Sequence, residues 1–381
     1  MPFPGVSVQT ETGNLLRALA NMDNQTAVVI SVATEGLQGV VTTVFSLKDA
    51  ESKGITAAAE PFLHEFLTAF YTELAGNKKL YVFGYANTST MASMLAVTNE
   101  DSGAFKMIKL KNGEITHLAV LRKPDAAYDP GEDFLDEDVA AALTAAKGLC
   151  QYFQSKNQPL RVLIEGRVVD GEVANTLEPN TLSNGYCGVV IGGTKADGSA
   201  SVALALARIA KFPAHVKIGS GENGPLSASA IFIGEDPIEE RSDVEDLHDQ
   251  GFITFHRRPG IAGYYFGVDN MCTNDDTRIL VNGSILDKAQ RIAAATYTPY
   301  LETDVRLNND GTINETDAKH IEDVLKTAIL ANMAGQISNA DVIIDRDQIV
   351  AGTNKISVKV KILPLGYLTW IEVTLGLTSS L

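Results

Sequence analysis

A chain of 381 residues with 31 Lys and Arg against 47 Asp and Glu carries a net charge of −16 and has room for two or three domains, each with its own core. Apolar residues at 45% and charged residues at 20% are the balance of a folded globular protein, while the acid excess excludes binding that works by neutralising phosphates or anionic lipid. Cys150, Cys187 and Cys272 are odd in number, far apart and without a C-x-x-C pair, which excludes a disulfide framework or zinc knuckle and fits synthesis in a reducing cytoplasm.

The opening Met1-Pro2-Phe3-Pro4-Gly5 has neither the basic nor the apolar region of a secretory signal, and no apolar run approaches the ~20 residues that span a bilayer. The expectation is a soluble protein with no cleaved leader and no membrane anchoring. Gly5 to Gln9 alternates and is held open by Pro2 and Pro4, so it reads as an extended arm. Residues 26–33 (TAVVISVA) form an apolar strand, residues 57–75 a helical stripe interrupted by Pro61, and residues 79–86 (KLYVFGYA) a buried strand. Residues 105–121 read as two strands around Asn112-Gly113. Helix 137–156, strand 160–165, strand 185–191, helix 199–211 and strand 228–233 then alternate in the manner of an α/β sheet with helices on its faces. Ser242-Asp243-Val244-Glu245 reads as a capping box opening a short helix that ends near Gly251.

The last third changes character. Two amphipathic helices, 283–300 and 315–334, flank a turn at Asn309-Asp310-Gly311, and only strands follow, at 340–345, 355–363 and 367–377. In the second of these, Ile356, Val358, Val360 and Ile362 alternate with Ser357, Lys359 and Lys361, the pattern of a half-buried strand. The chain thus begins and ends in extended segments whose backbone donors and acceptors need a partner, within the chain or in a neighbouring copy.

Four fragments imitate ligand sites and fail on context. Gly219-Ser220-Gly221-Glu222-Asn223-Gly224 spells G-x-G-x-x-G, but Pro225 and a strand-like run follow where a dinucleotide site needs a helix. Gly193 to Gly198 lies between a strand and a helix, where an anion could bind, yet Ser199 stands where the phosphate-binding lysine belongs. Arg306 to Asp317 has the spacing of a calcium loop with a cation at its first position and a short carboxylate at its twelfth. His64-Glu65 begins H-E-x-x-H, but the fifth residue is Thr68. The acidic run Glu235 to Asp249, with His248 inside it, reads as a solvated face. No catalytic residue, metal or cofactor is expected, and the chain reads as a non-enzyme.

Three stretches resemble the contractile tail sheath family. They are Pro4 to Gln9; Ala203 to Gly219 with Asn223 to Leu226 and the strand to Gly234; and Asp269-Asn270 with Arg278, Leu286 to Ile292, Tyr297, Pro299 and Tyr300, running on through helix 315–334 to the closing strands. The resemblance covers most of residues 180–381 and the first ten. It implies an α/β fold, α+β overall, with a central sheet domain, a C-terminal domain of two helices and strands, and extended arms at both ends. The implied domains are an arm at 1–24, α/β portions at 25–130 and 131–262, and a sheath domain at 263–381. It also implies a structural subunit that stacks as hexameric rings around a tail tube and contracts. The arms would be Gly5, Val6, Ser7, Val8 and Gln9 together with Tyr367, Leu368, Thr369, Trp370, Ile371, Glu372, Val373, Thr374 and Leu375, lent to neighbouring subunits. The implied partners are other copies, the tube, baseplate and tail terminator proteins, with no nucleic acid. The implied location is a virion tail or an injection particle assembled in the bacterial cytoplasm. A phosphate-binding α/β enzyme and a capsid or shell protein with exchanged arms are the competing readings.

Overall fold

A computed structural model of the protein describes residues 24–97, 103–369 and 372. It divides into two compact units, Met1–Glu302 and Thr303–Leu381. The first unit opens with strand β1 (Thr26–Ser31), edge strand β2 (Val41–Val44), short helix α1 (Leu47–Ser52), helix α2 (Pro61–Leu74) and strand β3 (Leu80–Tyr85). Helices α3 (Met91–Met94) and α4 (Gly103–Leu110) lead to β4 (His117–Leu121), followed by α5 (Asp138–Ser155), β5 (Arg161–Gly166), β6 (Cys187–Ile191) and α6 (Val202–Lys211). One six-stranded sheet in the order β2-β3-β1-β4-β5-β6 joins them. All its neighbours run parallel except β2, which is antiparallel to β3.

The apolar runs of β1, β4 and β6 are buried throughout because the central strands of a parallel sheet are covered on both faces. Phe66, Leu67 and Phe70 of α2, Ala142, Leu149 and Phe153 of α5, and the whole small-residue length of α6 supply that cover. Pro61 does not interrupt α2 but starts it, at the first helical position where its missing N–H costs nothing.

Three further sequence expectations need correction. Residues 105–110 are not a strand. Ala104, Phe105, Met107 and Ile108 are buried together on one face of α4, a 3.6-residue period set against Lys106 and Lys109 on the other, and Asn112-Gly113 turns the chain from helix to β4. Of the expected strand 228–233, only Phe232–Ile233 (β7) pairs, with Asp236–Pro237 (β8), because the Ser and Ala residues before it offer little side chain to pack across a ladder. The capping box does not form. Helix α7 (Val244–Asp249) starts from Asp243, whose carboxylate is held by Arg241 at 2.8 and 2.5 Å instead of by the helix amides. The antiparallel pair β9 (Phe255–Arg258) and β10 (Ile261–Phe266) and helix α8 (Leu280–Tyr297) complete the first unit.

The second unit holds α9 (Glu315–Asn332) and the antiparallel pair β11 (Ile337–Ile344) and β12 (Val358–Pro364). Asn314 caps α9 through its side-chain oxygen, which accepts from the Thr316 amide at 3.0 Å. One core cluster here is small, built on Ile313, Ala318, Ile344 and Val350.

Candidate assembly surface

In the β11–β12 pair, Ala340, Val342 and Ile344 lie opposite Ile362, Val360 and Val358 on the inner face, and Asn339, Asp341 and Ile343 lie opposite Leu363, Lys361 and Lys359 on the outer face. The β11 half of the inner face is buried, whereas Val358, Val360 and Ile362 are only half-buried. Among the described residues β11 and β12 pair with each other alone, so each carries one open edge of backbone donors and acceptors. The pair is tied to α9 by Glu322, whose carboxylate accepts from the Ile344 amide at 2.7 Å and from Arg346 at 2.8 Å. Burial works to raise the Glu322 carboxyl, but the hydrogen bonds from Arg346 and Ile344 outweigh it and hold it below the ordinary range.

Tyr367, Leu368 and Thr369 leave this hairpin without regular structure, Leu368 being 87% exposed, and Glu372 is likewise exposed and irregular. The other expected arm residues, Gly5, Val6, Ser7, Val8, Gln9, Trp370, Ile371, Val373, Thr374 and Leu375, lie outside the described residues.

The calcium-like loop is closed by its own charges. Arg306 donates to Asp317 through Nε at 3.0 Å and through a terminal nitrogen at 2.5 Å, so the first and twelfth positions neutralise each other. Asp310 accepts from the Thr312 amide and hydroxyl, completing an Asn-Asp-Gly turn. The glycine loop at 219–224 has the wrong polarity for phosphate: buried Arg208 donates to the carbonyls of Asn223, Gly224 and Pro225, and its other partner is the Glu73 carboxylate. At the Gly193 turn, the Ala200 amide ahead of α6 donates to the buried Glu165 carboxylate at 3.3 Å, placing a carboxyl where an anion would sit. Lys195 pairs with Glu65 at the surface. Gly198 takes a positive φ of 76°, and a Cβ there would meet the Val168 carbonyl oxygen at 2.0 Å, so backbone crowding explains this glycine.

Sequence reasoning missed a polar anchor in the first unit. Helix α8 crosses the N-terminal ends of β4 and β5 with Ser284, Asp287 and Arg291 spaced i, i+3, i+7 on one face. Asp287 receives both Nε and a terminal nitrogen of Arg161 at 2.7 Å, and Arg161 also donates to the carbonyls of Gly185, at 2.5 Å, and Gly283, at 3.2 Å. Arg291 donates to the carbonyls of Gly113, Ile115 and Pro159. Ser284 lies 3.0 Å from Nε2 of His117. Burial, reinforced by the nearby Arg161, pushes His117 down to about 3, and burial pulls Arg291 down to about 10. The available signal was the i, i+3, i+7 polar stripe in an otherwise amphipathic helix.

Residues 3–270 match the domain described as DUF2586, N-terminal domain, and residues 280–381 the domain described as DUF2586, C-terminal domain. No curated protein matches the sequence. Among solved structures, a chain from the anti-feeding prophage baseplate, 6-fold symmetrised, superposes with a TM-score of 0.63 at 13% identity, covering 99% of each chain. A chain of the anti-feeding prophage helical sheath in its contracted state gives 0.62 at 14% identity over 100% of each. A chain of the sheath complex of an extracellular contractile injection system, PVC, in its contracted state gives 0.60 at 13% identity, over 100% of this chain and 98% of that one. The mixed sheet, its flanking helices and the closing hairpin are therefore the fold of the contractile sheath class, over the full length of the chain. The chain belongs to the DUF2586 family.

Proposed function

We propose that the chain is a non-enzymatic sheath subunit of a contractile tail or injection particle, assembling as stacked hexameric rings around a tube and shortening to drive it through an envelope. The observation that carries this reading is the end-to-end likeness to chains of two contracted sheaths and of a contractile-particle baseplate, at 98% or more of both partners in each of the three. The open hairpin supports it. A two-stranded sheet is marginal alone, and strands added at its edges would complete both the backbone ladder and the cover over Val358, Val360 and Ile362.

In this reading residues 1–24 form an arm, Gly5–Gln9 and 367–375 pair with sheets of adjacent copies, and residues 263–381 act as the sheath domain. Backbone ladders between copies can survive while side-chain interfaces break and re-form, which is what a contracting sleeve requires. Head-to-tail pairing of this kind does not close and so builds a filament. Tube, baseplate and terminator proteins are the further partners, and the particle is assembled in the cytoplasm.

The test is negative-stain microscopy of the purified full chain and of a variant lacking residues 367–381. The expected result is hollow tubes from the full chain and a folded, soluble monomer from the variant. Closed shells from the full chain, tubes from the truncated one, or loss of folding on truncation would overturn the reading.

A further inference from the structure

A chain with a net charge of −16 repels its own copies, so a side-chain contact between copies is favoured where cations of one meet acids of the other. Much of its arginine is committed internally, as at Arg161, Arg208, Arg241 and Arg291. Two surfaces stand out against that background.

The first is the outer face of the β11–β12 hairpin. Lys359 and Lys361 are exposed on one strand and make no close ion pair among the described residues; Asp341, opposite Lys361, feels its charge at longer range but is itself bound by Lys326 at 3.0 Å, so the face keeps a positive excess. They alternate with the half-buried inner-face residues and share the outer face with the exposed apolar side chains of Ile343 and Leu363. Lysines that only protected a strand edge would not explain two large apolar residues presented beside them.

The second is an acidic rim on the first unit, at the C-terminal side of its sheet. Three segments meet there: the Val169 amide donates to the Phe134 carbonyl, Leu135 bridges to Val168, and Arg241 reaches the Gly171 carbonyl and Asp236. They bring together the exposed carboxylates Glu132, Asp133, Glu172, Glu235 and Glu240, none of which has an ion-pair partner among the described residues. The cation among them, Arg241, is bound by Asp236 and Asp243 and acts on Glu172 only at longer range, so the rim keeps a net negative charge.

We propose that the lysine face of the hairpin in one copy docks on this acidic rim of a second copy, Lys359 and Lys361 meeting carboxylates while Ile343 and Leu363 are covered. The contact rests on the reading of the chain as a self-assembling subunit and adds a side-chain interface distinct from strand exchange. Because its attraction is between surface charges, it weakens as salt rises and can be re-formed in a second arrangement without unfolding either surface.

The experiment uses three full-length proteins whose folding is checked by melting: wild type, Lys359→Glu/Lys361→Glu, and Glu132→Lys/Glu172→Lys/Glu235→Lys. The assembled fraction is measured by sedimentation and negative stain. Each variant alone faces like against like and is expected to lose about tenfold or more of the assembled fraction, as is wild type in high salt. A one-to-one mixture of the two variants is expected to recover assembly, since each then offers the other an opposite charge. Variants that assemble as well as wild type, or a mixture that does not recover, overturn the contact while leaving wild-type tubes as support for the sheath reading. A wild type that stays monomeric overturns both together.

Discussion

Replacing Asp287 by Asn tests whether the buried polar anchor under the sheet is held by charge. The side chain keeps its volume, so no cavity enters the account, but Arg161 loses its counter-charge and one of the two acceptors that Asp287 provides at 2.7 Å. The carbonyls of Gly185 and Gly283 remain, and the guanidinium stays buried. A charge-assisted hydrogen bond contributes about 1.5–3 kcal/mol, and removing one partner of a buried pair costs about 3–5 kcal/mol. The expected loss is therefore about 3 kcal/mol, read by urea unfolding at a concentration where the chain is monomeric. Arg161→Met should cost at least as much, because it strands the Asp287 carboxylate and two carbonyls. A double-mutant cycle should return a coupling of about 2 kcal/mol or more, well above the error for contacting residues. A loss below about 1 kcal/mol for Asp287→Asn, or additive single effects, would refute the view that this pair fixes α8 beneath the sheet.

Two buried groups give opposite pH slopes. His117 has a folded value of about 3 against an ordinary 6.5, so its contribution is complete above pH 6.5 and is lost as pH falls below it, at about 1.4 kcal/mol per pH unit. Glu165 is raised by burial from 4.5 to about 7, so its contribution is complete below pH 4.5 and is lost as pH rises through 7, to a total of about 3 kcal/mol. The slopes oppose each other between pH 4.5 and 6.5, and only unfolding series on His117→Gln and Glu165→Gln separate them; a variant whose pH profile parallels wild type refutes the assignment for that residue. Gly198→Ala should cost about 2–4 kcal/mol, since it combines left-handed strain with a backbone clash, whereas Gly352→Ala, also at a positive φ but with nothing within 4 Å of its Cβ, should cost about 1 kcal/mol from strain alone. Similar melting shifts for the two would count against this distinction. Millimolar calcium or EDTA should leave the melting midpoint unmoved, because Arg306 already occupies Asp317; a calcium-dependent rise would show that the loop opens to take the ion.

The sequence by itself determined the elements whose pattern is local. The short apolar runs of β1 and β6, bounded by turn residues, read as buried strands, the stripes of α5 and α9 as helices, and the alternation from Ile356 to Ile362 marked β12 as half-covered before any neighbour was known. Family resemblance, carried by residues 180–381 and the first ten, pointed to the sheath fold from a part of the chain that leaves out β1 and α5.

Tertiary structure alone decided whatever depends on residues distant in the chain. Phe105 to Leu110 suits a strand or a helix when read locally, and packing settled it as a helix, with the Phe105 ring tilted against Tyr152 and Phe153 of α5 at 5.0 Å between centroids. Edge strand β2, only four residues long, gained its identity from the register with β3. Arg161 and Asp287 lie 126 positions apart, and no periodicity links them until α8 is laid across the sheet. Local pattern reports which face of an element is apolar; it is silent about which other element meets that face, because such contacts are set by the path of the whole chain and by desolvation that only the packed state imposes.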